Sequence, residues 1–178
     1  MKENWDSSFD AVLRSEGFGV RSDNPYGFSN HSSDPGGVTQ LGVTKRAWEA
    51  WVGHKVTIDD MKALRPETVK PFYKKMYWDQ IRGDDLPSGV DYAAYDFAVN
   101  SGVLKSIKTL QDISGTIVDG VLGPKSMAAI KAVPADQMIQ IMIDHRESFL
   151  KRLPTWGTFG TGWSNRLVKV EAAAKRMA

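Results

Sequence analysis

The pattern of apolar positions opens on a helix. In FDAVLRSEGFG, residues 9–19, Phe9, Val12 and Leu13 recur at i, i+3 and i+4, and the i+7 slot that would complete the stripe holds Glu16. The spacing predicts a helix from about Ser8 to Glu16 or Gly17, with Asp6 or Ser7 as the N-cap and Gly17 as the stop. Periodicity then disappears across GFGVRSDNPYGFSNHSSDPGGVTQLGVT, residues 17–44, which is rich in Gly, Ser, Asn, Asp and Pro. A segment of this length inside a compact chain reads as a functional loop, and its VTQLGVT end predicts a short strand.

After this loop the helical spacing returns. TKRAWEAWVG is capped by Thr44, TIDDMKAL follows, and PETVKPFYKKMYWDQI places Val69, Phe72, Tyr73, Met76 and Tyr77 on one side. In VDYAAYDFAVNSG the shared face is Tyr92, Tyr95, Ala98 and Val99; in LKSIKTLQDISG it is Leu104, Ile107 and Leu110, closed by Gly115. An Asp-Gly turn precedes Gly-Pro, with Pro124 at a natural first helical position. Two further helices are expected in ADQMIQIMIDHRESFLKRL and WSNRLVKVEAAAKRM. No strand alternation lasts long enough for a real sheet, so the expected fold is mainly α.

Composition narrows the picture. The 178 residues suffice for one domain, or one core with a small subdomain, and 42% hydrophobic with 25% charged residues is the balance of a folded soluble chain. A net charge of +2 is too small to point to nucleic acid as a partner. No run of 18 apolar residues exists, and the first residues lack an apolar signal core; the expectation is synthesis in the cytoplasm without a signal peptide, and no membrane insertion. The absence of cysteine excludes disulfides and thiolate chemistry. His31, His54 and His145 are far apart and form no HExxH pair, and no Walker, dinucleotide-glycine or GxSxG pattern is present.

Glu16 is the sharpest chemical candidate. A carboxyl on an apolar face, at the negative end of a helix dipole, has its charged form disfavoured, and the raised pKa expected from that suits a general acid. The competing reading is a helix-end glutamate that turns outward or pairs with Arg14 or Arg21. Downstream, Asp23, Asp34 and Thr39 are within the loop, and Asp34 precedes Pro-Gly-Gly at a tight bend. Two carboxylates across a cleft suit glycosidic cleavage, although SDPGG could equally be a turn that Asp34 caps. Sugars stack on aromatic faces and bond to amides, which brings in the aromatic inventory, Gln40 and Asn100; most aromatics, however, have core spacing.

RSEGFGV with SDPGGVTQLGVTKRAW resembles the "EGG…DPGG.T..GI" pattern of phage-type N-acetylmuramidases, glycoside hydrolase family 108. FYKKMYWDQI looks like that family's "Y…YW" segment, and YDFAVNSG, LQDISGTIVDGVLGPKSM and GTGWSNRL look like its C-terminal region, described as peptidoglycan-binding. Here the motif reads EGF, with Phe18 in place of the second glycine. The resemblance implies a lysozyme-like helical fold with a long active-site loop or short β element after the first helix. It implies a catalytic region over residues 1–92 and a peptidoglycan-binding region over 93–178, packed together. It also implies hydrolysis of the β-1,4 bond between N-acetylmuramic acid and N-acetylglucosamine, with Glu16 as general acid. Asp34 would be the second carboxylate, with Asp23 its rival, and Thr39 would orient water. Gln40, Tyr77, Trp78 and Asn100 are the expected saccharide contacts. The implied role is that of a monomeric endolysin acting on peptidoglycan strands without metal or cofactor, and reaching the wall or periplasm after release. A non-catalytic peptidoglycan-binding protein, a lytic transglycosylase and an amidase are the alternatives.

Overall fold

The computed structural model describes residues 2–16, 18–19, 22–30 and 37–178. The chain divides into two compact units, one of Phe9–Lys75 and one of Met1–Ser8 with Met76–Ala178. The architecture is mainly α, with a short β element after the first helix, as expected.

The first helix, α1, spans Trp5–Ser15 and follows a 3-10 turn over Lys2–Asn4. It therefore begins upstream of the expected Asp6 or Ser7 cap. Trp5 lies one helical turn before Phe9 and extends the same apolar stripe, and its ring packs on Trp78 and Tyr95 with centroids 5.3 and 5.6 Å away. Burying that ring favours the extra turn over a cap at Ser7. The expected stop, Gly17, lies outside the described residues.

In the unit of Phe9–Lys75, strands β1 (Thr39–Gln40) and β2 (Val43–Thr44) form an antiparallel hairpin with Thr39 opposite Thr44 and Gln40 opposite Val43. Helices α2 (Lys45–Val52), α3 (Ile58–Lys62) and α4 (Pro66–Tyr73) follow. Thr44 caps α2 as expected: its Oγ1 accepts from Ala47 N–H at 3.2 Å. A reciprocal capping box joins Thr57 and Asp60 at the start of α3. The core of this unit is built from Phe9, Val12 and Leu13 of α1 and from Trp48, Phe72 and Tyr73, whose rings meet edge to face.

After α4 the winding loosens into a π turn, Lys74–Trp78. This corrects the expected apolar face. A 3.6-residue repeat carried from Tyr73 selects Met76 and Tyr77, but the wider π turn advances the inward position by one residue. Met76 is 46% exposed, whereas Trp78 is fully buried.

In the second unit, α5 (Val90–Ser101) is buried on all sides from Val90 to Ala98 and is surrounded by α6 (Val103–Ile113), α8 (Ala135–Lys151) and α9 (Trp156–Met177). Helix α7 (Pro124–Ala132) starts at Pro124 as the sequence predicts. Leu104 departs from its expected core position and is 56% exposed, because its side chain lies over Gly120 rather than inward. Helix α9 begins earlier than WSNRL. A Cβ on Gly160 would come 2.7 Å from the Trp156 ring, so the glycine lets that ring lie flat on the helix it starts.

Candidate active site

Glu16 directly follows α1 and is half-buried. Its N–H donates to the carbonyls of Val12 and Leu13 at 3.0 and 3.1 Å, and Phe18 N–H donates back to Leu13 at 3.0 Å, closing the helix end. Phe9, Val12 and Leu13 are at most 1% exposed, so the stripe they make is the buried face, and it leads to Glu16.

The loop that follows is anchored to the hairpin. Asn24 clasps Phe28, accepting from its N–H at 2.8 Å and donating to its carbonyl at 2.9 Å. Leu41 N–H donates to Tyr26 at 2.9 Å, and Ser29 pairs with Thr39 through two backbone bonds of 2.9 Å. Arg65 lies over the Tyr26 ring at 4.5 Å and Lys62 over Phe28 at 5.5 Å, so cations cover these aromatic faces.

Leu41 and Gly42 form the two-residue turn of the hairpin, both with positive φ, 51° and 74°. Two left-handed residues are what the twist of a tight hairpin demands. This turn meets the acid. A Cβ placed on Gly42 would lie 3.3 Å from Cγ and 3.5 Å from Cβ of Glu16. The Tyr73 hydroxyl, which the same Cβ would meet at 2.6 Å, donates to the Leu41 carbonyl at 2.8 Å. The stem of the half-buried Glu16 carboxyl therefore lies beside the Gly42 position, where a side chain would crowd it.

The remaining expected site residues are distributed as follows. Thr39 is half-buried in β1, on the hairpin whose turn touches Glu16. Asp34 lies outside the described residues, and its rival Asp23 is exposed in the loop. Gln40 is only 2% exposed, and its amide nitrogen is directed at the carbonyls of Lys62 and Leu64 at 3.2 and 3.4 Å, so it ties β1 to the end of α3. Tyr77, Trp78 and Asn100 belong to the other compact unit. Both faces of Trp78 are covered: it is fully buried, packs on Trp5 and Tyr95, has Gly83 flat against its ring, and donates to Asp84 at 2.8 Å. In this position it is a core residue and offers no platform to a sugar. Tyr77 is half-buried, and Asn100 is exposed at the rim of a cavity of about 300 Å³ that Trp163 and Lys105 also line.

Periodicity placed Tyr73 correctly in the core but gave no sign of its bond to the hairpin. Gly42 was visible only as the second residue of Leu-Gly between two β-branched stretches. Asn-Gly in that place would have announced the turn; Leu-Gly does not. Among the described residues no group of three His, Asp or Glu side chains is arranged to hold a metal, and no helix is long and apolar enough to cross a membrane.

The profile of the family described as Glycosyl hydrolase 108 matches residues 9–102, more than half of the chain. No curated protein sequence matches it. The solved structure described as "Structure of Brucella abortus SagA" is 37% identical and has a TM-score of 0.84, with 99% of this chain and 97% of that chain covered. The matched span begins within α1 and contains Glu16, the loop, the hairpin and Tyr73. By this match the chain belongs to the glycosyl hydrolase 108 family.

Proposed function

We propose that the protein is an N-acetylmuramidase that hydrolyses the β-1,4 bond between N-acetylmuramic acid and N-acetylglucosamine in peptidoglycan. The observation that carries this reading is the half-buried Glu16 at the end of a buried stripe, its stem beside Gly42, in a glycosyl hydrolase 108 chain. Glu16 protonates the glycosidic oxygen as the C1–O bond breaks. Asp34 supports the positive charge growing on the sugar or takes a proton from the attacking water, which Thr39 orients. Water adds to C1, so each cut leaves one new reducing end.

The same reading gives residues 1–92 the cleavage and residues 93–178 a wall-binding role. In favour of the latter are the 82% exposed Ile117 and the 66% exposed Val121 beside a cavity of about 650 Å³ that Lys125 also lines. The role is that of an endolysin released onto the wall by a separate agent that opens the membrane.

Mass spectrometry of muropeptides released from purified walls tests the reaction. Hydrolysis predicts new reducing N-acetylmuramic acid ends; 1,6-anhydro ends would mean transglycosylation, and free amino groups without glycan cleavage would mean an amidase. Binding to walls with no product would leave only the non-catalytic alternative. Run side by side, Asp34→Asn and Asp23→Asn assign the second carboxylate. Loss of turnover confined to Asp23→Asn would move that role from Asp34.

A further inference from the structure

We propose that Tyr73 is a positioning residue for Glu16, acting through the strained Leu41–Gly42 turn; this rests on the reading of Glu16 as the general acid. Leu41 is a bulky residue with a φ of 51°, a left-handed conformation that L side chains rarely adopt. Such a residue persists only where its surroundings over-determine it, and these outliers concentrate at functional sites.

Here the constraints are visible. The Leu41 side chain is 1% exposed, its N–H is bonded to Tyr26 at 2.9 Å, and its carbonyl accepts from Tyr73 at 2.8 Å. Tyr73 is itself 1% exposed and is wedged between Phe72 and Phe9, with ring centroids 5.8 and 5.7 Å away. Phe9 belongs to α1, the helix that presents Glu16. One buried phenol thus packs on the helix that carries the acid and bonds to the turn that meets it.

The next residue, Gly42, receives the result. At a φ of 74° and without a side chain, it lets the backbone approach Cβ and Cγ of Glu16. A Cβ there would lie 2.6 Å from the Tyr73 hydroxyl, closer than real atoms approach. The hydroxyl, buried and hydrogen-bonded, cannot easily yield. The turn therefore acts as a stop that fixes where the acid points. A displacement of about 1 Å in a catalytic group lowers turnover roughly 100-fold, so this stop governs rate more than binding.

The test is a double-mutant cycle of Tyr73→Phe and Gly42→Ala on the full chain, with Glu16→Gln as control. Each protein is assayed for kcat and KM on solubilised peptidoglycan, and for thermal midpoint. Tyr73→Phe, which keeps the ring, is expected to lower kcat about tenfold with KM within twofold. Gly42→Ala alone is expected to lower kcat further. Its penalty should shrink at least fivefold in the Tyr73→Phe background, where the hydroxyl it would strike is gone. If Tyr73→Phe keeps kcat within twofold, if the two changes combine multiplicatively, or if the losses track the unfolded fraction, the positioning role is overturned while an inactive Glu16→Gln leaves the acid assignment standing. Should Glu16→Gln turn over normally, the acid assignment falls, and the positioning role with it.

Discussion

The two compact units each place an acid among apolar neighbours, and they treat it in opposite ways. In the unit of Phe9–Lys75, Glu16 ends a buried stripe and is itself only partly buried. In the other unit, Asp96 lies in the centre of α5 and has no exposed surface at all. Its two oxygens are taken by guanidinium groups: Oδ1 by Arg146 at 2.6 Å and Oδ2 by Arg166 at 2.8 Å. Burial opposes ionisation of Asp96, but the two arginines outweigh it and hold the carboxyl below the usual carboxylate range. An acid on an apolar face is therefore ambiguous by itself. Full burial with two charge partners makes Asp96 a structural bolt; Glu16, only partly buried, is the acid for which we propose proton transfer.

The widest separation between these roles is expected from neutralising each acid. Glu16→Gln should lower turnover about 10²–10⁴-fold, the usual worth of a general acid, with the thermal midpoint little changed. Asp96→Asn should do the reverse. It leaves Arg146, only 2% exposed, without its counter-charge, at a cost of about 3–5 kcal/mol in denaturant unfolding, while turnover per folded molecule is kept. A comparable stability loss in both variants would erase the distinction drawn between them.

The next effect discriminates within the buried cluster. The Arg166 side chain is 16% exposed against 2% for Arg146, so water can replace more of what Arg166 supplies. Arg146→Gln is expected to cost more stability than Arg166→Gln, by about 1 kcal/mol, in paired urea titrations.

Acid unfolding gives a smaller signal with a defined sign. Glu49 accepts from Lys45 at 2.5 Å, Lys55 at 3.0 Å and Val56 N–H at 3.1 Å, and these bonds lower its pKa to about 2 from an ordinary 4.5. A folded pKa below the unfolded one stabilises above pH 4.5, and that contribution fades as the pH falls toward 2. In Glu49→Gln the stability curve should be flatter across this window than in the wild type. The smallest effect is expected from Thr57→Ala, which removes the α3 capping box for about 1 kcal/mol in thermal unfolding and should leave kcat unchanged.

Much of the fold was legible because helical spacing is local. The stripe of Phe9, Val12 and Leu13, the Thr44 cap and the Pro124 helix start all depend on residues a few positions apart. The misplaced elements have local geometry that the repeat does not encode. A π turn moved Met76 out and Trp78 in, and an early Trp ring extended both α1 and α9 upstream. Of the candidate site, Glu16 could be singled out by its position on the helix and Thr39 by the family resemblance. The supporting shell could not, because the Tyr73 bond to Leu41 joins residues 32 apart. Gln40 was expected to meet sugar, but burial turned its amide toward the carbonyls of Lys62 and Leu64.

What the sequence determined alone is therefore the sequence-local part: a mainly helical chain and an acid at the end of an apolar stripe. Tertiary structure decided which of two apolar-face acids is sealed and which stays partly exposed. It also decided that Gly42 comes beside the stem of Glu16. The physical reason is that desolvation and charge pairing depend on what packs around a residue. For Asp96 those partners stand 50 and 70 positions along the chain, beyond the reach of any periodic pattern.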